Sequence, residues 1–492
     1  MFKKVLIANR GEIAVRVSRT LRELGVGSVA VFTDVDRASL HVRRADEAVA
    51  LGPDPRAYLD AERLVAAARA AGCDALHPGY GFLSENAEFA ELCEAARITF
   101  VGPPPNAIRL MGSKERARAA MAAAGVPVVP GGGAGTLEEA GLTASRVGYP
   151  VMVKATDGGG GKGMRLVRSE EELAGALERT RSEAQKSFGN GDVYIERALE
   201  GPRHVEVQVL GDRAGRVVHL FERDCSLQRR HQKIVEETPC PALDPATRDA
   251  LCAVAVQGAR SLGYHSAGTF EFLLDRDGSF YFLEMNTRLQ VEHPITELVT
   301  GVDLVREMLT IAAGEPLLVE PETRGVAVEA RLCAEDPARG FAPSPGRIDT
   351  YVTAAGPGVR DDSGIDEGAV VSPDYDPLLA KLAVWAPTRT QALARLLRAL
   401  GETVIAGIET NVAFLEGLVA TPEVLAGQYD NGFVERYAAE LFAASRETDE
   451  PLLAAAAAVV AALADTTPRP DEPDGNGLSP WVMLERAERL GR

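Results

Sequence analysis

Six cysteines are scattered along the chain (Cys73, Cys93, Cys225, Cys240, Cys252 and Cys333), and none forms a CxxC pair. That argues against a zinc ribbon. Basic charge is also scarce. Lys and Arg total 53 against 71 Asp and Glu, a formal net charge of −18. No Lys/Arg cluster offsets the deficit, and a nucleic-acid platform needs a basic face, so nucleic acid is not an expected partner. Long apolar runs are missing too. The longest, Pro451 to Ala464, is mostly alanine and falls short of the ~20 residues of a membrane span. The opening stretch, Met1 to Arg10, has too short an apolar segment for a signal peptide. These absences predict a reduced, cytoplasmic setting with no membrane. The first βα turn, Ala8-Asn9-Arg10-Gly11-Glu12, holds one glycine where the dinucleotide fingerprint wants three. That disfavours a dehydrogenase.

What is present is an ordinary globular composition over 492 residues, enough for roughly two to four domains of about 100–200 residues each. Residues 1–100 alternate strand and helix patterns. Val5–Ala8 reads as a strand. Glu12–Leu24 reads as a helix with Ile13, Val17, Leu21 and Leu24 on one face, and Gly25 stops it. Val29–Phe32, Ala61–Ala71 and Ala75–His77 continue the βαβ order of a parallel sheet. Punctuation at 103–105 and 131–135 brackets a helix, Lys114–Ala124, and sets a boundary near 113. Residues 137–203 read as a compact insert with two strands around a glycine loop. Residues 204–310 are strand-rich and then helical, and 325–440 mix strands with a helix, Thr390–Leu400. An alanine-rich helix follows about residue 440. The charged Pro/Gly stretch Thr466–Gly477 then reads as a mobile linker.

Three stretches carry chemistry. Two apolar strands, around Glu271 and Glu284, flank Asp277-Gly278, a strong hairpin signal. If those two residues are the turn, Glu271 opposes Glu284, and opposed like charges repel. A divalent cation between them supplies a reason, hard oxygen ligands suit Mg²⁺, and Asn286 lies on the same face as Glu284. The competing reading, glutamates facing solvent, fits poorly with Phe270, Phe272, Tyr281 and Phe282 around them. Second, Val151–Val167 reads strand, glycine loop, strand. It is not a Walker loop, because Lys162 precedes Gly163 rather than Ser or Thr. Such a loop can fold over a triphosphate, with Lys154 neutralising charge and Lys114 as a second candidate. Third, Glu222–Glu237 and Arg288–His293 concentrate both charges. An Arg with a Lys can hold a small planar anion, and an adjacent glutamate can act as base.

At these residues the chain resembles the biotin carboxylase family, within the ATP-grasp fold, from residue 1 to about 440. The resemblance rests on IANRGEIAVR (7–16), HPGYGFLSEN (77–86), KATDGGGGKGM (154–164), ERDCSLQRRHQKIVEE (222–237), EMNTRLQVEHPITE (284–297), and AEDP with FAPSPG (334–346). It implies an α/β protein with a Rossmann-like N-terminal domain (1–113) and an ATP-grasp domain (114–313) with a glycine-rich lid (about 131–203). A mixed α+β C-terminal domain (325–440) and a helical tail (441–492) complete it. It implies that Lys114, Lys154, Gly160 and Gly161 meet the ATP phosphates, that Glu196 and Leu199 hold adenine, and that His204 and His231 lie near the nucleotide. Glu271, Glu284 and Asn286 would coordinate Mg²⁺ or Mn²⁺. Lys233, Arg288, Gln290 and the Val291 backbone would hold bicarbonate, and Glu292 would deprotonate it. Arg331 would stabilise the biotin enolate, with Tyr80 and Gly81 near the ring.

The implied activity is ATP-dependent carboxylation of biotin by bicarbonate through carboxyphosphate, the first half-reaction of an acetyl-CoA or acyl-CoA carboxylase. One departure is Asp157, where many relatives carry a small residue. Another is the absence of Met-Lys-Met, the biotinylation motif of multidomain relatives. The tail from about 445, with Ser479-Pro480-Trp481, resembles the start of the region that follows the carboxylase in acyl-CoA carboxylase α chains. The expected partners are therefore a separate biotin carboxyl carrier protein and a carboxyltransferase, with a homodimer implied by the resemblance. The alternatives are a split pyruvate carboxylase subunit, another ATP-grasp ligase, and a catalytically silent ATP-binding subunit. A silent subunit predicts lost metal or base residues, and all are present.

Overall fold

The computed structural model describes residues 1–156, 163–438 and 440. Met1–Ala439 forms one compact unit. Gly160, Gly161, Asp157, the alanine-rich helix and the linker lie outside the described residues.

The N-terminal part is a five-stranded parallel sheet. Its order is Glu47–Gly52, Gly27–Thr33, Lys4–Ile7, Ala75–His77, Thr99–Phe100. The helix Gly11–Glu23 buries Ile13, Ala14, Val17 and Leu21, the stripe expected from the 3.6-residue period. Gly25 leaves it at φ +68, a conformation only glycine adopts without strain.

Eight strands form one larger sheet, in the order Phe280–Asn286, Ser266–Leu274, Arg203–Gly211, Val217–Arg229, Gln232–Thr238, Val326–Cys333, Leu378–Ala386, Val359–Ser363. Gln232–Thr238 pairs antiparallel with Val326–Cys333. The sheet therefore crosses the segment between 313 and 325. Alternation along its strands divides its two faces. Phe270 and Phe272, both fully buried, join Val205, Val207 and Val209 in a core under the helices Lys114–Ala123 and Pro245–Ser261. Each phenylalanine contributes about 1.5–3 kcal/mol by burial. The intervening residues, His204, Glu206, Gln208, Thr269 and Glu271, take the other face.

The segment 131–197 is richer than two strands around a loop. Four strands pair in the order Gly131–Gly133, Val193–Arg197, Val151–Ala155, Met164–Val167, packed against the helices Leu137–Val147 and Glu170–Phe188. Gly131–Gly133 gives a sequence reader no apolar alternation, so that strand was hidden. It works because a Cβ at Gly131 would sit 2.4 Å from the Ile195 carbonyl oxygen.

The carboxylate hairpin pairs Glu271 with Glu284, as expected, but not through the expected turn. The connection runs over Asp275–Ser279, with Gly278 at φ +84. Leu274, Leu273 and Phe272 pair with Phe280, Tyr281 and Phe282, one residue out of the expected register. A bulge between Glu271 and Phe272 restores it. Among the described residues, no helix is long and apolar enough to cross a membrane.

Candidate active site

Period-two alternation in adjacent strands puts Arg223, Glu206, Glu271 and Glu284 side by side, each opposing the next. Lys233, from the strand Gln232–Thr238, serves three carboxylates with its three N–H donors. It donates to Glu206 Oε2 (2.5 Å), Glu271 Oε1 (2.8 Å) and Glu292 Oε1 (2.7 Å). Burial alone lowers its pKa. The three carboxylates outweigh burial and hold its pKa well above the ordinary lysine value.

Glu292 ends the loop after Asn286 and is fully buried. Its second oxygen accepts from Arg331 Nη2 at 2.9 Å. Burial pushes its carboxyl up, but Lys233, Arg331 and Arg223 outweigh that and hold it well below the usual range. Those cations hold it as the carboxylate, the charge state that a base would need. Arg331 is fixed from behind by Glu236 (2.6 Å). Arg288 donates to Gln290 Oε1 (2.9 Å), Asn286 Oδ1 (3.0 Å) and Glu85 Oε2 (3.0 Å).

The structure thus gathers Lys233, Arg288, Gln290, Glu292, Arg331, Glu271, Asn286 and His204. Glu271 Oε1 also accepts from Asn286 Nδ2 (2.7 Å) and Gln290 Nε2 (3.2 Å). His204 Nε2 lies 2.9 Å from Glu271 Oε2. Gln228 Nε2 donates to His204 Nδ1 at 2.9 Å, which leaves the proton on Nε2, facing Glu271. Burial lowers the His204 pKa and Glu271 raises it, with a net rise.

For a divalent cation the fit is good at Glu271 and Glu284. The pair is opposed, and burial, then Glu271, push the Glu284 carboxyl up. A cation would relieve both effects. Asn286 would have to exchange its bond to Arg288 to offer its oxygen. His204, Glu206 and Glu271 also bring ligand atoms within 4.8 Å of one another.

The remaining predicted residues are more dispersed. Lys154 and Glu196, given separate roles, form an ion pair on neighbouring strands. Lys114 opens its helix beside Ser113. Leu199 is half-buried just past Val193–Arg197, and His231 is exposed at φ +66 in the turn before Lys233. Gly81 is exposed, and Tyr80 donates to Glu12.

Sequence reasoning missed Glu206, Arg223, Glu85, Glu236, Lys381 and Glu12. Arg223 is fully buried and donates to Glu206 Oε1 (2.6 Å), Gln208 Oε1 (2.9 Å) and Thr296 Oγ1 (2.8 Å). The signal for Glu206 was legible: His204-Val-Glu206-Val-Gln208-Val alternates polar and apolar.

Three family models match this chain: "Biotin carboxylase, N-terminal domain" over 1–108, "Carbamoyl-phosphate synthase L chain, ATP binding domain" over 113–319, and "Biotin carboxylase C-terminal domain" over 329–436. The biotin carboxylase of Nostoc sp. is 51% identical over 441 residues, 88% of this chain and 99% of that protein. This chain belongs to the biotin carboxylase family. It is an ATP-dependent ligase that carboxylates biotin. The propionyl-CoA carboxylase alpha chain of Ruegeria pomeroyi is 47% identical, over 94% of this chain and 72% of its own. A solved relative is the biotin carboxylase domain dimer of Hydrogenobacter thermophilus 2-oxoglutarate carboxylase, in complex with MgADP, ADP and bicarbonate. It superposes with a TM-score of 0.83 at 47% identity, covering 89% of this chain and 98% of that one.

Proposed function

We propose that the enzyme carboxylates biotin carried on a separate biotin carboxyl carrier protein, by bicarbonate activated as carboxyphosphate. It would serve an acyl-CoA carboxylase. The observation that carries this is Glu292, a fully buried carboxylate between Lys233 (2.7 Å) and Arg331 (2.9 Å). Bicarbonate needs a base on one side and cations on the other, and this loop offers both.

Lys233 spends all three donors on carboxylates, so bicarbonate takes a place by exchanging one of them. Arg288 and the Gln290 amide fix its orientation. Glu292 takes the hydroxyl proton, and a bicarbonate oxygen bonds to the γ-phosphorus as ADP leaves. Carboxyphosphate then breaks to CO₂ and phosphate, phosphate takes the ureido proton, and biotin nitrogen bonds to CO₂. Arg331 stabilises the enolate oxygen, with Tyr80 and Gly81 near the ring. Charge neutralisation at fixed geometry is what phosphoryl transfer requires. Glu271, Glu284 and Asn286 would hold Mg²⁺ or Mn²⁺, which when bound neutralises phosphate charge. Lys114, Lys154, Gly160 and Gly161 would meet the phosphates, Glu196 and Leu199 the adenine, and His204 and His231 the nucleotide's surroundings.

The domain limits proposed are 1–113, 114–313 with a lid at about 131–203, 325–440, and a tail from 441. The match to a propionyl-CoA carboxylase alpha chain over 94% of this chain, against 88% for the Nostoc protein, supports an acyl-CoA carboxylase setting. A homodimer, a carboxyltransferase partner and a cytoplasmic location complete the reading. The test is steady-state ATP hydrolysis. A bicarbonate requirement with stimulation by free biotin supports the proposal. Stimulation by a purine ribotide instead of biotin would sink it.

A further inference from the structure

The strand Leu378–Ala386 is apolar except for Lys381, which is fully buried. A buried ammonium must be held. Lys381 Nζ donates to the Val291 carbonyl at 2.9 Å and lies 3.2 Å from Glu12 Oε1. Glu12, itself buried, sits in the first turn of Gly11–Glu23. The same Oε1 accepts from the Tyr80 hydroxyl, and the Tyr80 ring centroid is 5.9 Å from Lys381 Nζ. Tyr80 and Lys381 therefore share one carboxylate oxygen.

Val291 belongs to the loop between the strand Phe280–Asn286 and the helix His293–Thr300. Its preceding carbonyl, Gln290 O, accepts from His293 Nδ1 at 2.7 Å. A trans peptide points its N–H opposite its C=O. Tying both carbonyls back turns the N–H groups of Val291 and Glu292 the other way.

We infer that Lys381 is a positioning residue of the bicarbonate loop, and that Glu12 couples it to Tyr80 on the biotin side. The inference rests on the proposed assignment of bicarbonate to Gln290–Glu292 and of biotin to Tyr80. A group that settles on the Tyr80 hydroxyl changes its bond to Glu12. Glu12 then pulls differently on Lys381, and the Val291 carbonyl follows. Two distinct sites acquire a coupling by this route.

The test is bicarbonate-dependent ATP hydrolysis without biotin, in wild type, Lys381→Met, Tyr80→Phe and the double variant. Lys381→Met raises the KM for bicarbonate about ten- to a hundredfold, the scale of a small misplacement, and leaves the KM for ATP within about twofold. Tyr80→Phe, which removes only the hydroxyl that bonds to Glu12, also raises the bicarbonate KM, by about fivefold. In the Lys381→Met background, Tyr80→Phe adds nothing further. If Lys381→Met fails to fold, Lys381→Met with Glu12→Gln removes both charges and keeps the test, because the worst case is a partner left unpaired. An unchanged bicarbonate KM in Tyr80→Phe, or effects that multiply in the double variant, overturns the inference. Loss of bicarbonate dependence in the wild type overturns the site assignment and the inference with it.

Discussion

Glu292→Gln keeps the shape of the side chain and removes its capacity to take a proton. The glutamine oxygen can still accept from one of Lys233 and Arg331, which lie 2.7 and 2.9 Å from the two carboxylate oxygens. The other cation then faces an amide N–H₂. A positioned general base contributes about 10²–10⁴ in rate. At 1.36 kcal/mol per tenfold, that is about 3–5 kcal/mol of transition-state stabilisation. ATP binding should change little, because Lys154 and Glu196, both assigned to the nucleotide, pair with each other, while Glu292 is held by Lys233 and Arg331. Steady-state hydrolysis with ATP and bicarbonate varied separately is the assay. Turnover should fall at least a hundredfold, with the KM for ATP within about threefold. A turnover loss below tenfold, or an equal loss in turnover and in ATP affinity, would refute the base assignment.

Three further substitutions test buried charges, two in the site and one in the N-terminal part. Glu284→Gln removes a like charge opposite Glu271. Thermal unfolding without metal should show a gain of about 0.2–1 kcal/mol, while stabilisation by Mg-nucleotide falls. Glu206→Gln leaves the fully buried Arg223 short of its counter-charge and should cost about 3–5 kcal/mol, read by denaturant unfolding. His41 is buried, and burial, partly offset by Asp36, lowers its pKa to about 4. The unfolded histidine takes its proton near 6.5, so the unfolded state binds more protons between those values. The stability of wild type relative to His41→Gln should fall as pH drops from about 6.5 toward 4, measured by melting both proteins across that range.

The parts of the fold set by local pattern were readable. The helix Gly11–Glu23 and its glycine stop follow from the 3.6-residue period, and the flanking parallel strands from short apolar runs. The Glu271–Glu284 pairing was reached by two offsetting errors. The turn is longer than Asp277-Gly278 suggests, and a bulge beside Glu271 takes up the difference. Such bulges leave no composition signal. The Gly131–Gly133 strand was illegible for the opposite reason, since glycine has no alternation to show.

Within the site, residues in dense motifs were found and isolated partners were not. Glu206 stands in a polar–apolar alternation that marks a face. Its partners, Arg223, Lys233 and Glu271, come from other strands, and only tertiary pairing reveals them. Lys381 in an apolar strand was a visible anomaly, but the carboxylate it meets, Glu12, is at the far end of the chain. The pairing of Lys154 with Glu196 likewise needed the strand register.

In the proposed reaction bicarbonate itself attacks ATP. The most direct measurement uses bicarbonate labelled with ¹⁸O in a single burst of ATP- and biotin-dependent turnover, followed by mass analysis of the released phosphate. The attacking oxygen stays on phosphorus when carboxyphosphate breaks, so each phosphate formed should carry one labelled oxygen. Unlabelled phosphate, with carboxybiotin still produced, would contradict it.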